Sequence, residues 1–250
     1  MNTTNAVDAT VRDLLLEAAR WRLTSLLFRR PNGARCVELT SLARESGEAE
    51  LVDAASAAAT TTEGLYHAWL GPGGPLAPRE VSYRPIEDPG RLLAEIAAFH
   101  QAFGYHGGTE DPADHIAVAA DFMAYLFVKE ALAAGASGSA DAETTRGARE
   151  QFAERHVRPA ARGMARRMAR VVEGVDTAHF ALTVGLLVRL SGVAADTSEA
   201  DAAADAPFLL PGLDDDTIDC GAFGDAGGGC KAACPWDPSH NQSDGATGAD

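Results

Sequence analysis

Lysine is nearly missing from this 250-residue chain: only Lys129 and Lys231 occur, and arginine supplies the other cations. Lys and Arg together number 21 against 36 Asp and Glu, for a formal net charge of −15. Most of that excess lies from Val193 onward, where twelve acidic residues face one lysine. Such a field opposes phosphate contact and no basic stripe offsets it, so a nucleic-acid partner is excluded from the reading. Long apolar runs are missing too. The best candidate, Phe180 to Val188, has nine residues before Arg189, whereas a bilayer-spanning helix needs roughly 20; no stable membrane insertion is expected. The opening MNTTNAVDATVRD has no charged region leading into an apolar one, so a secretory leader is not expected and the expected location is cytoplasmic. Cysteine is scarce, with Cys36 apart from Cys220, Cys230 and Cys234, which is unlike the dense, even framework of a small secreted domain.

Catalytic signatures are also lacking. There is no Walker loop, no G-x-S-x-G elbow and no H-E-x-x-H. The E-x-x-H pairs of a di-iron bundle do not occur, since Glu95 and His100 are five apart, and Asp114-His115 reverses the H-D order of a metal phosphohydrolase. An enzyme is not expected, and neither is a resident cofactor or metal in the body of the chain.

What is present is helical periodicity. Leu14, Ala18, Trp21, Ser25 and Phe28 mark one face of a first helix over Asp8 to Arg29, stopped by Pro31-Asn32-Gly33. Thr40 is read as the cap of a short helix through Leu42, Glu48 to Ala59 as another, and Thr61 or Thr62 as the start of a turn carrying Leu65, Tyr66 and Trp69. Gly71 to Pro78 cannot continue a helix and is expected to cross the surface, leading into an extended stretch with Glu80 and Tyr83. Asp88-Pro89 starts the next helix, whose face is Leu92, Ile96, Phe99 and Phe103 and whose end is Gly104. Asp111-Pro112 repeats that signal, placing Glu110, Asp114 and His115 around a first turn that leads into Ile116, Ala120, Met123 and Phe127, with Phe122 and Leu126 widening the stripe. Gly135 to Ala140 is a break. A helix over Ala142 to Val157, a restart forced by Pro159, and a last helix capped by Asp176 complete the body. No alternating strand pattern occurs. The expected fold is all-α, a single bundle of about eight to ten helices over residues 1–192. Residues 193–250 are expected to form an acidic tail, with composition that favours disorder.

The central stretch also carries a resemblance. Glu110, Asp114 and His115 stand as E-x-x-x-D-H, after FHQAFG (Phe99 to Gly104) and before Phe122-Met123 and Lys129-Glu130-Ala131. With the LYxxWL segment at Leu65 to Leu70 and the proline-rich crossing, this resembles the TorD/DmsD family of redox-enzyme maturation chaperones over about residues 8 to 192. A glutamate and a leucine usual in that family's helix are replaced here by Ala119 and Ala120, so no role of that glutamate is carried over. The resemblance implies a chaperone that binds the precursor of a molybdopterin oxidoreductase and its twin-arginine signal peptide. It implies a client-binding groove including Glu110, Asp114, His115 and Phe122, with Tyr83 and Glu80 as looser matches. Acidic groups there can accept guanidinium hydrogen bonds, and the apolar surface of the central helix can receive the apolar stretch of the peptide. On residue chemistry alone, Asp111 and Asp114 can equally be charges on a helix start and His115 a packed side chain. The hinges at Gly71 to Pro78 and Gly135 to Ala140 allow either a monomer or a helix-swapped homodimer. The alternative is a metal-carrying or redox-sensing protein acting through Cys220, Cys230, Cys234 and His240, whose spacing fits no standard site.

Overall fold

The computed structural model describes residues 3–108, 111–136, 138–171 and 178–193. These form nine α-helices and no strand: α1 Thr3–Leu27, α2 Gly33–Ser46, α3 Ala49–Ala59, α4 Glu63–Leu70, α5 Pro89–Phe103, α6 Ile116–Gly135, α7 Ser139–Phe152, α8 Arg158–Arg170 and α9 Ala178–Ser191. A 3₁₀ turn at Glu80–Tyr83 and a π turn at Ala153–Val157 complete them. The fold is all-α, as the periodicity predicts. Glu110, Asp176 and the tail with its three cysteines, His240 and Phe208 to Leu210 lie outside the described residues.

Several helix ends follow their sequence signals. Thr62 caps α4 through Leu65 N–H, and Asp88 caps α5 through Arg91 N–H with Pro89 in its first turn. Gly104 closes α5 with φ of 66°, a conformation that favours glycine. Three ends differ. Thr40 is interior to α2, its hydroxyl donating to the Cys36 carbonyl at 2.7 Å, because Asn32 caps that helix eight residues earlier. The chain does not break before Pro159. Its ring removes one N–H and crowds the carbonyl of Arg155, and the path stays helical by widening into the π turn. The third difference is at α6, which begins at Ile116 with His115 as its cap, not at Asp111-Pro112. There the backbone is drawn into pairing with the crossing: Ile116 N–H donates to the Pro78 carbonyl and Glu80 N–H to the Asp114 carbonyl, both at 2.8 Å.

The main core surrounds α6, with α1 lying along it as its principal partner. Ala117, Ala119, Ala120 and Ala124 are buried on α6, and their small side chains let α1 approach with Trp21 and Phe28. Ala119 and Ala120 are both buried, so a glutamate at either would bury a carboxylate. A second core forms where Leu23 and Leu27 of α1 meet Leu39, Leu51 and Leu186. Polar ties add register. Asp121 of α6 holds Arg22 at 2.6 Å and Arg29 at 3.2 Å, and buried Glu130 accepts from Arg146 at 2.8 Å and Arg149 at 3.0 Å on α7.

The 3₁₀ turn, expected as extended chain, is pinned to α8 by Tyr83. Its hydroxyl donates to the Ala77 carbonyl at 2.6 Å, and Arg167 stacks over the ring at 4.5 Å. The other face lies on Gly163, where an added Cβ would sit 2.2 Å from Tyr83 Cδ1. Gly163→Ala is therefore expected to lower stability by about 1–2 kcal/mol despite better helix propensity, read as a lower urea midpoint at unchanged slope.

Candidate functional site

The crossing from Pro78 to Tyr83 runs beside Asp111 to Ile116, with Arg79 and His115 forming an isolated antiparallel bridge. At the centre of this contact is an ionic clamp. Arg79 Nε lies 3.0 and 3.1 Å from the two Asp114 oxygens, and Arg79 Nη2 lies 2.9 Å from Oδ1. The Asp114 side chain is wholly buried while that of Arg79 is 43% exposed. Asp114 is thus occupied by an internal guanidinium in the way the sequence reading assigns to a client. Next to it, His115 Nδ1 accepts from Ala117 N–H at 3.1 Å, which leaves the Nε2–H facing Asp111 Oδ1 at 4.0 Å. Burial is the main cause of a His115 pKa below the ordinary value, with Asp111 opposing it.

Glu80 is buried on the other side of the crossing. Its carboxylate meets His156 Nδ1 at 3.1 and 3.3 Å and Arg84 Nε at 2.8 Å. Desolvation raises its pKa, and the histidine works against that rise. Phe122 is fully enclosed, edge-on to His100 and Phe152 at 4.7 Å and near Tyr105 at 5.1 Å. Asp114, His115 and Glu80 are therefore brought together around one crossing, Tyr83 sits at its far end on α8, and Phe122 is inside the core. The large apolar residues of α6 also point mostly inward: only Val128 and Leu132 are exposed, and Val128 shares a shallow pocket with Leu15 of α1.

What is open is a groove of about 710 Å³ lined by Arg30, Asn32, Glu63, Tyr66, His67 and Asp111 among others. Arg30 is ion-paired to Glu63. Asp111 is partly exposed, and among the described residues its one ion pair is the 4.0 Å approach to His115. Sequence reasoning missed Arg79 and His156, the partners that fix Asp114 and Glu80. Neither had a local signal, because each is far along the chain from the carboxylate it meets.

The nitrate reductase delta subunit family matches residues 36–164, a span that runs from within α2 through α7, the crossing and the clamp to the first half of α8. The chain belongs to this family. It is a family of TorD-like redox-enzyme maturation chaperones, so the delta-subunit assignment and the resemblance read from Glu110, Asp114 and His115 agree. The family role is maturation of a molybdoenzyme, with a nitrate-reductase-type enzyme as the implied partner. No curated protein and no solved structure gave a significant match. Among the described residues no group of three or more His, Cys, Asp or Glu is placed to hold a metal ion, and no helix is long and apolar enough to cross a membrane.

Proposed function

We propose that this chaperone binds the twin-arginine signal peptide and apo-form of a molybdopterin oxidoreductase, assists cofactor insertion in the cytoplasm, and delays export until insertion is complete. The observation that carries the reading is the groove beside Asp111, whose carboxylate is partly exposed and, among the described residues, is ion-paired with no guanidinium. Asp111 receives a client guanidinium, with Glu110, next in sequence, as a further carboxylate. Asp114, His115, Glu80 and Tyr83 act one layer back, holding the crossing beside the segment that carries Asp111, and Phe122 belongs to the core and makes no client contact. The apolar stretch of the peptide follows Leu15, Leu16, Val128 and Leu132, where α1 and α6 leave large side chains exposed.

Calorimetric titration tests this with a twin-arginine signal peptide and a control in which both arginines are glutamine. The peptide is expected to bind and the control to bind much more weakly. Asp111→Asn is expected to weaken the first titration about tenfold, the loss of one charge-assisted hydrogen bond. Equal affinity for both peptides would remove the arginine contact from the mechanism.

A further inference from the structure

Outside that groove, a cavity of about 390 Å³ lies between α5 and the π turn. His156 and Glu95 both line it. His156 is 2% exposed, and its Nε2 has no hydrogen-bond partner. Its Nδ1 is committed to the Glu80 carboxylate, so in the neutral ring Nδ1 carries the proton and Nε2 presents a lone pair. Glu95 Oε1 lies 3.7 Å from that nitrogen and is also buried without a hydrogen bond. Arg155 Nη2 approaches the same oxygen at 2.6 Å, yet not along a hydrogen-bonding direction, and its side chain is 49% exposed. Two buried acceptors therefore share one cavity and lack a donor aimed at them.

The pairing favours a cationic donor. Arg84, Arg91 and Arg155 balance Glu87, Glu95 and Glu154 in the lining, but Arg84 is engaged by Glu80 and Glu87, and Glu154 pairs with Arg158, so Glu95 is left with the half-exposed Arg155. A planar guanidinium can bridge a carboxylate oxygen and an imidazole nitrogen a few ångströms apart, which a single ammonium does less well.

We propose that this cavity is a second binding site, taking the guanidinium of an arginine side chain from a polypeptide partner, with Arg155 as the internal group that it displaces. The client reading is needed only to name the source of that arginine. The π turn carries Glu154, Arg155 and His156, and so places both the acceptor and its placeholder at the cavity.

The test uses the full chain and small probes, watched by NMR at the His156 ring. N-acetyl-arginine amide is expected to give saturable shifts, and the uncharged isostere N-acetyl-citrulline amide is expected to bind at least about tenfold more weakly. Glu95→Gln is expected to abolish the arginine response, whereas Arg155→Ala, an exposed change that leaves the core intact, is expected to tighten binding several-fold. These opposite signs are not what a structural ion pair produces. Equal response to citrulline, stronger shifts with inorganic phosphate, or an Arg155→Ala variant that binds no better than the parent would overturn the proposal. A failed signal-peptide titration beside a positive probe titration would remove the client reading and leave this site standing.

Discussion

Arg79→Ala is expected to cost about 3–5 kcal/mol of folding free energy, because it leaves a buried carboxylate without its cation. The clamp is asymmetric: the Asp114 side chain is wholly buried and that of Arg79 is 43% exposed. With arginine removed, the Asp114 carboxylate is left buried with neither its cation nor water. With Asp114→Asn instead, Arg79 can turn outward and hydrate while the amide keeps one hydrogen bond, so a loss of about 1–2 kcal/mol is expected. The pair Arg79→Met with Asp114→Leu is expected to recover much of the loss, since apolar side chains remove the desolvation cost of both charges. Urea unfolding of the three variants decides it, and equal costs for the two single changes would refute the burial argument. Alanine at both Asp114 and His115 would also remove a clamp and a helix cap, so a binding defect in that double variant could not be assigned to client contact. Asp111 is the cleaner probe.

The all-α body could be read from sequence because its helices carry their own signals. Asp88-Pro89 and Gly104 delimit α5 by local chemistry alone, and the Leu92 and Ile96 face is buried as the spacing predicts. The expected start at Asp111-Pro112 failed for a non-local reason. The carboxylates at Asp111 and Asp114 and the proline suit a helix N-terminus, but Pro78 and Glu80 claim the backbone of this segment, and Arg79 claims the Asp114 side chain. The motif was therefore found while its geometry was not. Asp114 looked like a free acceptor and is a saturated one, and Asp111, read as a cap, faces the groove. Phe122 shows the limit of a periodic pattern, which identifies a side chain as inward but cannot say whether the space it enters is a groove or a core. Glu95 and His156 carried no legible pattern at all, since their approach depends on how α5 packs against a turn some sixty residues later.

Lowering the pH from 7 to 4 is expected to remove about 3 kcal/mol of stability through His179 alone. His179 is buried beside Phe180, with Thr61 Oγ1 at 2.8 Å from Nδ1, and its Nε2 has no partner. Desolvation brings its pKa down from 6.5 to about 4, with the nearby Leu27 carbonyl working the other way. Unfolding exposes the ring and restores the ordinary value, so between about 6.5 and 4 the unfolded chain binds more protons. The contribution is whole above 6.5, declines as pH falls, and is spent at about 4. His100, also brought to about 4 by burial, and His115, lowered for the same reason, add to the slope in the same direction. Glu80 opposes it. Its raised pKa means the folded form takes up a proton first, which favours the fold at low pH and is lost as pH rises through that value. Three lowered histidines against one raised carboxylate leave acid destabilisation as the net result. In His179→Gln the protein should be weaker at pH 7, because the stacked ring is lost, yet its unfolding free energy should vary less with pH than that of the parent. Denaturant unfolding at half-unit steps from pH 7.5 to pH 4 measures both slopes. If they are the same, the acid sensitivity lies in the ion pairs of the clamp and not in the buried imidazoles.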